Sequence, residues 1–389
     1  MSHTTLDSRV ERTTNPKLIL TGLSLADVDY TRAKRYCRGN IFPPRRYISV
    51  FLAAGATCVI IVTYLGLSYN PQIDEYTTLY KTSPTTMETP MIFDNQCVTR
   101  CEEAMQLATD VKPNYKLPFN FSASTCSFNA TSRGANQRVV IFSFYGNISS
   151  DRSYFQGIRR NAQRIQQLYP DWVMRVYHNA SDPHARQLLC QTQCSYGEFL
   201  DTCFVGDLPG YGNLTDIHPM VWRFLPMSDP LVDVALSRDL DSILSVREQA
   251  AVQEWLSTGA ALHVMRDHKD HKTELLGGTW GAHLNDSNRC EWRVMIEHIL
   301  LRAEGAGKGR DQVLLREEIW KYSNRPGWAL QHDSYHCEKY KNLGISRAFP
   351  TQRLMEPMNF VGSRFKMDTQ PIKVKCPLSC RREPSWKFC

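Results

Sequence analysis

Val139-Val140-Ile141-Phe142-Ser143-Phe144 is a compact apolar run closed by Tyr145-Gly146-Asn147, a pattern that predicts a buried strand. From Asp151 to Leu168 the apolar positions fall at Phe155, Ile158, Ala162, Ile165 and Leu168. That is a helical period, opened by Ser150 or Asp151 as a cap and ended by Pro170. Trp172–Tyr177 reads as a second strand, so strand, helix and strand form a right-handed βαβ unit with parallel strands. The alternation recurs downstream. Leu231–Ser237 predicts a strand, Ser245–Leu256 a helix and Ala261–Met265 a strand. A glycine-rich turn over Gly277–Gly281 precedes a helix from Glu291 to Glu304, and another helix starts near Asp311. The expectation is one α/β domain over residues 137–365, followed by a tail, 366–389, that has few periodic apolar positions and three cysteines.

Ahead of this domain the pattern changes twice. Residues 47–69 form an uncharged stretch of 23 residues with Tyr47, Tyr64 and Tyr69 near its ends. That length suits one helix across the hydrocarbon of a bilayer, and tyrosine favours the interfaces. A cleaved signal peptide would begin near residue 1, whereas this stretch follows 46 polar residues. Residues 70–136 are rich in Thr, Ser, Pro and Asn and read as an extended stem.

Charge sets the expected orientation. The formal net charge of +7 looks like a hint of acidic partners, yet residues 1–46 hold nine Lys/Arg against four Asp/Glu. The folded part therefore has no basic stripe of the kind nucleic acid requires. Arg32, Lys34, Arg35, Arg38, Arg45 and Arg46 precede the span and Asp74 and Glu75 follow it. This asymmetry keeps 1–46 in the cytosol as a tail and sends the rest across, giving a single-pass type II membrane protein. Glycosylation acceptors at Asn120, Asn129, Asn147, Asn179, Asn213 and Asn285 all follow the span. So do eleven of the 13 cysteines. In an oxidising lumen these read as disulfides, with one odd thiol free or paired between chains. The Cys-x3-Cys spacings at 97/101, 190/194 and 376/380 lack a matching His pair and suit disulfide halves better than zinc.

The chemistry is concentrated in Arg238-Asp239-Leu240-Asp241. Two carboxylates one residue apart, just past an apolar strand, stand at the carboxyl edge of a sheet, where open α/β folds bind ligands. Strand alternation would send both to the same side. Hard ions such as Mn²⁺ or Mg²⁺ favour such oxygens and keep positions open for nucleotide phosphates, with Arg238 available to pair with one of them. The spacing alone is unspecific, since Asp27-Val28-Asp29 in the expected cytosolic tail shares it.

Together, the βαβ opening, the strand-terminal acid pair and the lumenal type II anchor resemble the GT-A class of Golgi glycosyltransferases, over residues 137–365. Within that class the chain looks most like a group of animal type II transferase-like proteins. The phrases that carry this are WRFLPMSDPLVDVALSRDLDS (222–242), HVMRDHKDH (263–271), LLGGTWGA (275–282), RDQVLL (310–315) and QHDSYHC (331–337). The resemblance implies a Rossmann-type mixed sheet flanked by helices, a nucleotide-sugar donor, a glycan or glycoprotein acceptor, a divalent ion and a Golgi membrane location. It also implies roles for particular residues. Asp239, Asp241 and His332 would hold the metal, Asp311 or Asp267 would handle the acceptor hydroxyl, and Asp239 has ribose as its other option. Tyr145, Arg238, Gly278 and Trp280 would line the substrate site. Each has a plainer alternative: an N-cap for Asp311, a surface pair with Arg266 for Asp267, a core position for Trp280, a hydrogen-bonded ring for His332.

Two competing classes remain. A Golgi sulfotransferase needs a basic phosphate loop after its first strand, and Tyr145–Ser150 has no Lys or Arg. A degenerate transferase fold serving as a lumenal binding protein would tolerate loss of the acid pair, which is intact. Lys308 lacks the phosphate-loop context, no Gly-x-Ser-x-Gly is present, and Glu297-His298 is not a His-Glu-x-x-His site.

Overall fold

A computed structural model describes Thr99 and residues 123–146, 152–305 and 307–389. The expected tail and membrane anchor, most of the stem, Asn120, Asn147, Cys97 and Cys101 lie outside the described residues. No helix among the described residues is long and apolar enough to cross a membrane.

The first strand, β1 (Gln137–Phe144), is buried on both faces. Val139 and Ile141 enter one core cluster, while Val140, Phe142 and Phe144 enter another. An apolar run without alternation is what a strand covered by helices on both sides requires. Helix α1 (Arg152–Leu168) lays Phe155, Ile158, Ala162, Ile165 and Leu168 on the second cluster, then β2 (Val173–His178) returns parallel to β1. Helix α2 (Pro183–Tyr196), capped by Asp182, leads to β3 (Leu200–Phe204), parallel to β2. After the short α3 (Pro219–Trp222), β4 (Val232–Arg238) pairs parallel with β1 on its other side. Helix α4 (Val246–Thr258) has Ser245 as its N-cap and Gly259, at φ +69°, as its C-cap, and β5 (Leu262–Arg266) follows.

The glycine-rich segment expected to be a turn contains a further strand, β6 (Thr279–His283), antiparallel to both β4 and β5. Helices α5 (Arg289–Ala303) and α6 (Arg310–Leu314) precede β7 (Ala329–Asp333) and the edge strand β8 (Ile345–Arg347). The sheet order is β3-β2-β1-β4-β6-β5-β7-β8. Helices α1, α2 and α4 cover one face, and α3 and α5 cover the other. This is a mixed α/β sheet flanked by helices. The chain reverses direction across the sheet between β1 and β4, and the crevice beyond their carboxyl ends is where such sheets accept ligands.

All nine cysteines among the described residues are disulfide-bonded. Cys376 and Cys380 belong to different bridges, to Cys389 and Cys337 respectively, and Cys126 joins Cys203. The segment after residue 365 is tied to the sheet domain by Cys337–Cys380 and by the Arg353 N–H, which donates to the Cys389 carbonyl at 2.8 Å.

Candidate active site

The loop after β4 is held from three directions. Gly157 on α1 leaves room for the Leu240 backbone, since a Cβ there would lie 3.2 Å from the Leu240 carbonyl carbon. Asn161 Nδ2 donates to the Leu240 carbonyl at 3.3 Å. From the C-terminal segment, the Phe365 N–H donates to the Asp241 carbonyl at 3.0 Å, and Ser242 Oγ donates to the Gly362 carbonyl at 3.2 Å. Opposite, Arg238 pairs with Thr279 in the antiparallel register, which brings the preceding Gly277-Gly278 beside Asp239. Ser237 Oγ donates to the Gly277 carbonyl at 2.6 Å and fixes that approach. Both glycines are needed for closeness rather than for backbone freedom. A Cβ on Gly278 would fall on the Asp239 carboxylate, and one on Gly277 would fall on Arg223 and 2.9 Å from Asp311 Oδ2.

Arg223 organises the acids. It follows α3, its side chain is 4% exposed, and it reaches two carboxylates. Nη1 donates to Asp239 Oδ1 and, at 3.3 Å, to the Arg238 carbonyl, while Nη2 stands 3.6 Å from Asp311 Oδ2. Asp311 is buried at the start of α6, where Gln312 Nε2 donates to its Oδ2 at 3.0 Å. It is not the N-cap, because Gly309 occupies that place at φ +88°. Its other oxygen, Oδ1, is buried with no hydrogen-bond partner among the described residues, as are Gln312 Oε1 and Arg223 Nε. Buried polar atoms are rarely left so, and these three stand together beside Asp239.

Around this core stand Tyr145 and Asp241. Tyr145, at the end of β1, sets its ring edge-on to Trp222 with centroids 6.4 Å apart and remains 45% exposed. Burial pushes its phenol up. The Arg223 charge opposes that rise, and Asp239, Asp311 and Asp241 add to it. Partial burial also raises the Asp241 carboxyl, and the neighbouring Asp239 charge adds to it. The structure thus brings Tyr145, Asp239, Asp241, Gly278 and Asp311 to one place, at the carboxyl ends of β1 and β4.

Other expected site residues go elsewhere, each because a partner holds it. Arg238 is buried with Glu248 and donates to the Ser237 and Trp280 carbonyls, both at 2.7 Å, so it does not face a phosphate. Asp267 is fully enclosed and accepts from Arg247 Nε at 2.8 Å, Arg353 Nη2 at 2.6 Å and Ser334 Oγ at 2.5 Å. No acceptor capacity remains for a hydroxyl, and its pair is Arg247 rather than Arg266, which binds Asp333 at 2.6 Å. Trp280 is a core residue, 5.5 Å from Phe224 and 6.1 Å from Trp292 between ring centroids, and it cannot stack on a sugar.

His332 is also buried, with both ring nitrogens engaged, by His263 Nε2 at 2.8 Å and Glu254 Oε2 at 3.1 Å. It has no lone pair for a metal shared with Asp239 and Asp241. The imidazole that feels the Asp239 charge is His271, held down to about 4 by burial. Among the described residues no group of three or more His, Cys, Asp or Glu is arranged to hold a metal ion. The two carboxylates still fit a hard divalent ion that takes its other oxygens from phosphates and water, because such ions often use only one or two protein carboxylates.

Of the described glycosylation acceptors, Asn129 and Asn285 are exposed and Asn179 and Asn213 are half-buried. Arg223 is the residue that sequence reasoning missed. Its signal was a single charge inside the apolar run Met220–Met227.

No protein-family model matches the chain, and no curated protein matches it. Among solved structures, it is similar to a mannosyltransferase, PcManGT from Pyrobaculum calidifontis, in complex with GDP-Man and Mn²⁺. The likeness has a TM-score of 0.33 and 9% identity and covers 66% of each chain. So slight a likeness assigns neither a family nor an activity.

Proposed function

We propose that this protein is a glycosyltransferase of the Golgi lumen that moves a monosaccharide from a nucleotide sugar to a glycan or glycoprotein hydroxyl. The observation that carries the reading is the convergence of Asp239, Asp241 and the half-satisfied, buried Asp311 around Arg223 at the sheet's switch point. In it the chain's own groups divide the work. Tyr145 borders the nucleotide base. Gly277 and Gly278 let Asp239, Arg223 and Asp311 close against the backbone and so place the carboxylates for the donor and acceptor. Asp311 Oδ1 accepts a hydrogen bond from the acceptor hydroxyl and draws off its proton as the new bond forms. Asp239 and Asp241 would hold a Mn²⁺ or Mg²⁺ ion, which when bound neutralises charge on the departing diphosphate.

The test is a thermal-shift screen of the full chain in detergent against UDP- and GDP-sugars, with Mn²⁺ or with EDTA. A donor at one hundred times its Kd adds about 2.7 kcal/mol of stability. One nucleotide sugar should stabilise in Mn²⁺ alone, and Asp241→Ala should abolish the shift. If none binds, the reading is wrong. Binding without turnover over a broad acceptor panel would make the chain a lumenal binding protein instead.

A second expectation concerns Gly278. Gly278→Ala should swing the Asp239 side chain away from Arg223 while leaving the fold intact, because the atoms in the way end a movable side chain. Donor affinity should fall by about tenfold or more, near 1.4 kcal/mol, and the unliganded melting temperature should fall as well, because the buried Arg223 loses its nearest anion. Equal affinity in the two proteins would show that Asp239 does not meet the donor.

A further inference from the structure

We infer that the C-terminal segment is a docking surface for the acceptor, and that the acceptor is an acidic glycan bearing carboxylate or sulfate groups. The inference deepens the proposed sugar transfer by naming the class of its acceptor. It starts from where the charge lies. The +7 of the whole chain leaves +2 once the +5 of residues 1–46 is set aside. Residues 366–389 alone hold six Lys/Arg against Asp368 and Glu383, so residues 47–365 are net acidic. The cationic surplus is gathered in the last stretch of chain.

The fold sorts these cations. Arg381 donates to the Cys376 and Pro384 carbonyls, and Arg382 pairs with Glu254 at 2.8 Å. Asp368 is taken by Arg364. Lys373, Lys375 and Lys387 are exposed and have no ion-pair partner among the described residues. Their backbones are held together. The Cys376 N–H, next to Lys375, donates to the Lys387 carbonyl at 2.9 Å, and the Cys376–Cys389 bridge closes the loop. Like charges gathered without a counter-charge suit an anionic partner. Three lysines do not make the stripe that nucleic acid requires. Trp386 is half-buried next to Lys387 in the chain, and an indole offers a flat apolar face to the C–H side of a sugar ring.

The segment also lies in the right place. It begins at the acid pair, where the Phe365 N–H donates to the Asp241 carbonyl. It then reaches Tyr335, two residues past β7, whose hydroxyl donates to the Val374 carbonyl at 2.9 Å. Strands β4, β5 and β7 run in one direction, so their carboxyl ends share an edge of the sheet. β7 stands three places from β4, about 14 Å at the usual strand spacing. A glycan of several sugars with its reacting hydroxyl in the crevice has the length to reach these lysines, and a monosaccharide does not.

Titration calorimetry on the full chain in detergent, at low salt, tests this with heparin, hyaluronan and neutral maltose hexasaccharides. The first two separate sulfate from carboxylate, and at least one should bind while the neutral one does not. The triple variant Lys373→Ala/Lys375→Ala/Lys387→Ala should bind the acidic sugar about tenfold more weakly, the sum of three modest exposed contacts. Its salt dependence should shrink, and its melting temperature and nucleotide-sugar binding should hold. Arg45→Ala/Arg46→Ala, in the expected cytosolic tail, should bind as the wild type does. Equal affinity in the folded triple variant would overturn the inference, as would equal binding of the neutral sugar or a loss confined to the tail variant. Loss of binding to phosphatidylserine vesicles, with oligosaccharide binding kept, would assign the face to a membrane instead. The glycosyltransferase reading fails separately, if no nucleotide sugar binds while the three lysines still hold the acidic sugar.

Discussion

Asp311→Asn should abolish most sugar transfer while leaving donor binding almost untouched. The substitution keeps the shape of a side chain that is 1% exposed and keeps an oxygen for Gln312 Nε2 to reach. What it removes is a carboxylate able to take a proton at Oδ1, the oxygen with no partner. Positioned proton transfer of this kind contributes roughly 10²–10⁴-fold to a rate, so kcat should fall by about that factor on whichever nucleotide sugar stabilises the wild type. KM for the donor should hold, because the donor's side of the site is Asp239, Asp241 and Tyr145. A variant that loses donor affinity but keeps its turnover number would place Asp311 on the donor instead.

The largest effect on stability is expected at Asp267, the acid first read as catalytic. Its carboxylate lies between Arg247 and Arg353 and also accepts from the Val361 N–H at 3.0 Å. Asp267→Ala would leave two guanidiniums buried without their shared anion, at a cost of about 3–5 kcal/mol. A chemical denaturation curve measures this directly, and a loss below about 1 kcal/mol would refute the structural role. The same contacts predict an acid response. Burial works against ionisation, yet Arg247 and Arg353 hold the carboxyl well below the usual carboxylate range. A depressed folded-state pKa gives stability that is complete above the unfolded value, near 3.9, and drains away as pH falls below it. Asp267→Asn should therefore lose less stability between about pH 4 and pH 2 than the wild type does.

These two aspartates show what a sequence can and cannot carry. The unit β1–α1–β2 was legible because its period is local: an apolar run, then a 3.6-residue repeat, then a second run. Strand β4 and helix α4 were legible for the same reason, with Ser245 as cap. Strands β3, β6 and β7 were not. Their sequences, Leu200–Phe204, Thr279–His283 and Ala329–Asp333, hold buried polar residues whose partners are distant in the chain. Asp201 meets Arg175, and Asp333 and Gln331 meet Arg266. A polar residue at a strand end looks the same from sequence whether it faces a cleft or an arginine 67 positions away. Asp239 and Asp267 are that pair of cases. Arg238 and Arg223 are another, since the arginine adjacent to the motif turns to Glu248 and the one sixteen residues upstream reaches the acid.

The Cys126–Cys203 bridge has a mechanical meaning. It fastens the chain ahead of β1 to β3, two strands away across the sheet. Ser124 and Thr125 add a second fastening, through Asp229 Oδ2 at 2.6 and 3.0 Å, just before the bridge. Any pull on the chain upstream of Ser124 is therefore carried by a covalent link and a buried carboxylate before it reaches β1. The load enters β3 through the bridge and the turn before β4 through Asp229, and strand β1 is shielded from tension. A tethered form of this protein would keep its crevice in register while its leash is under strain.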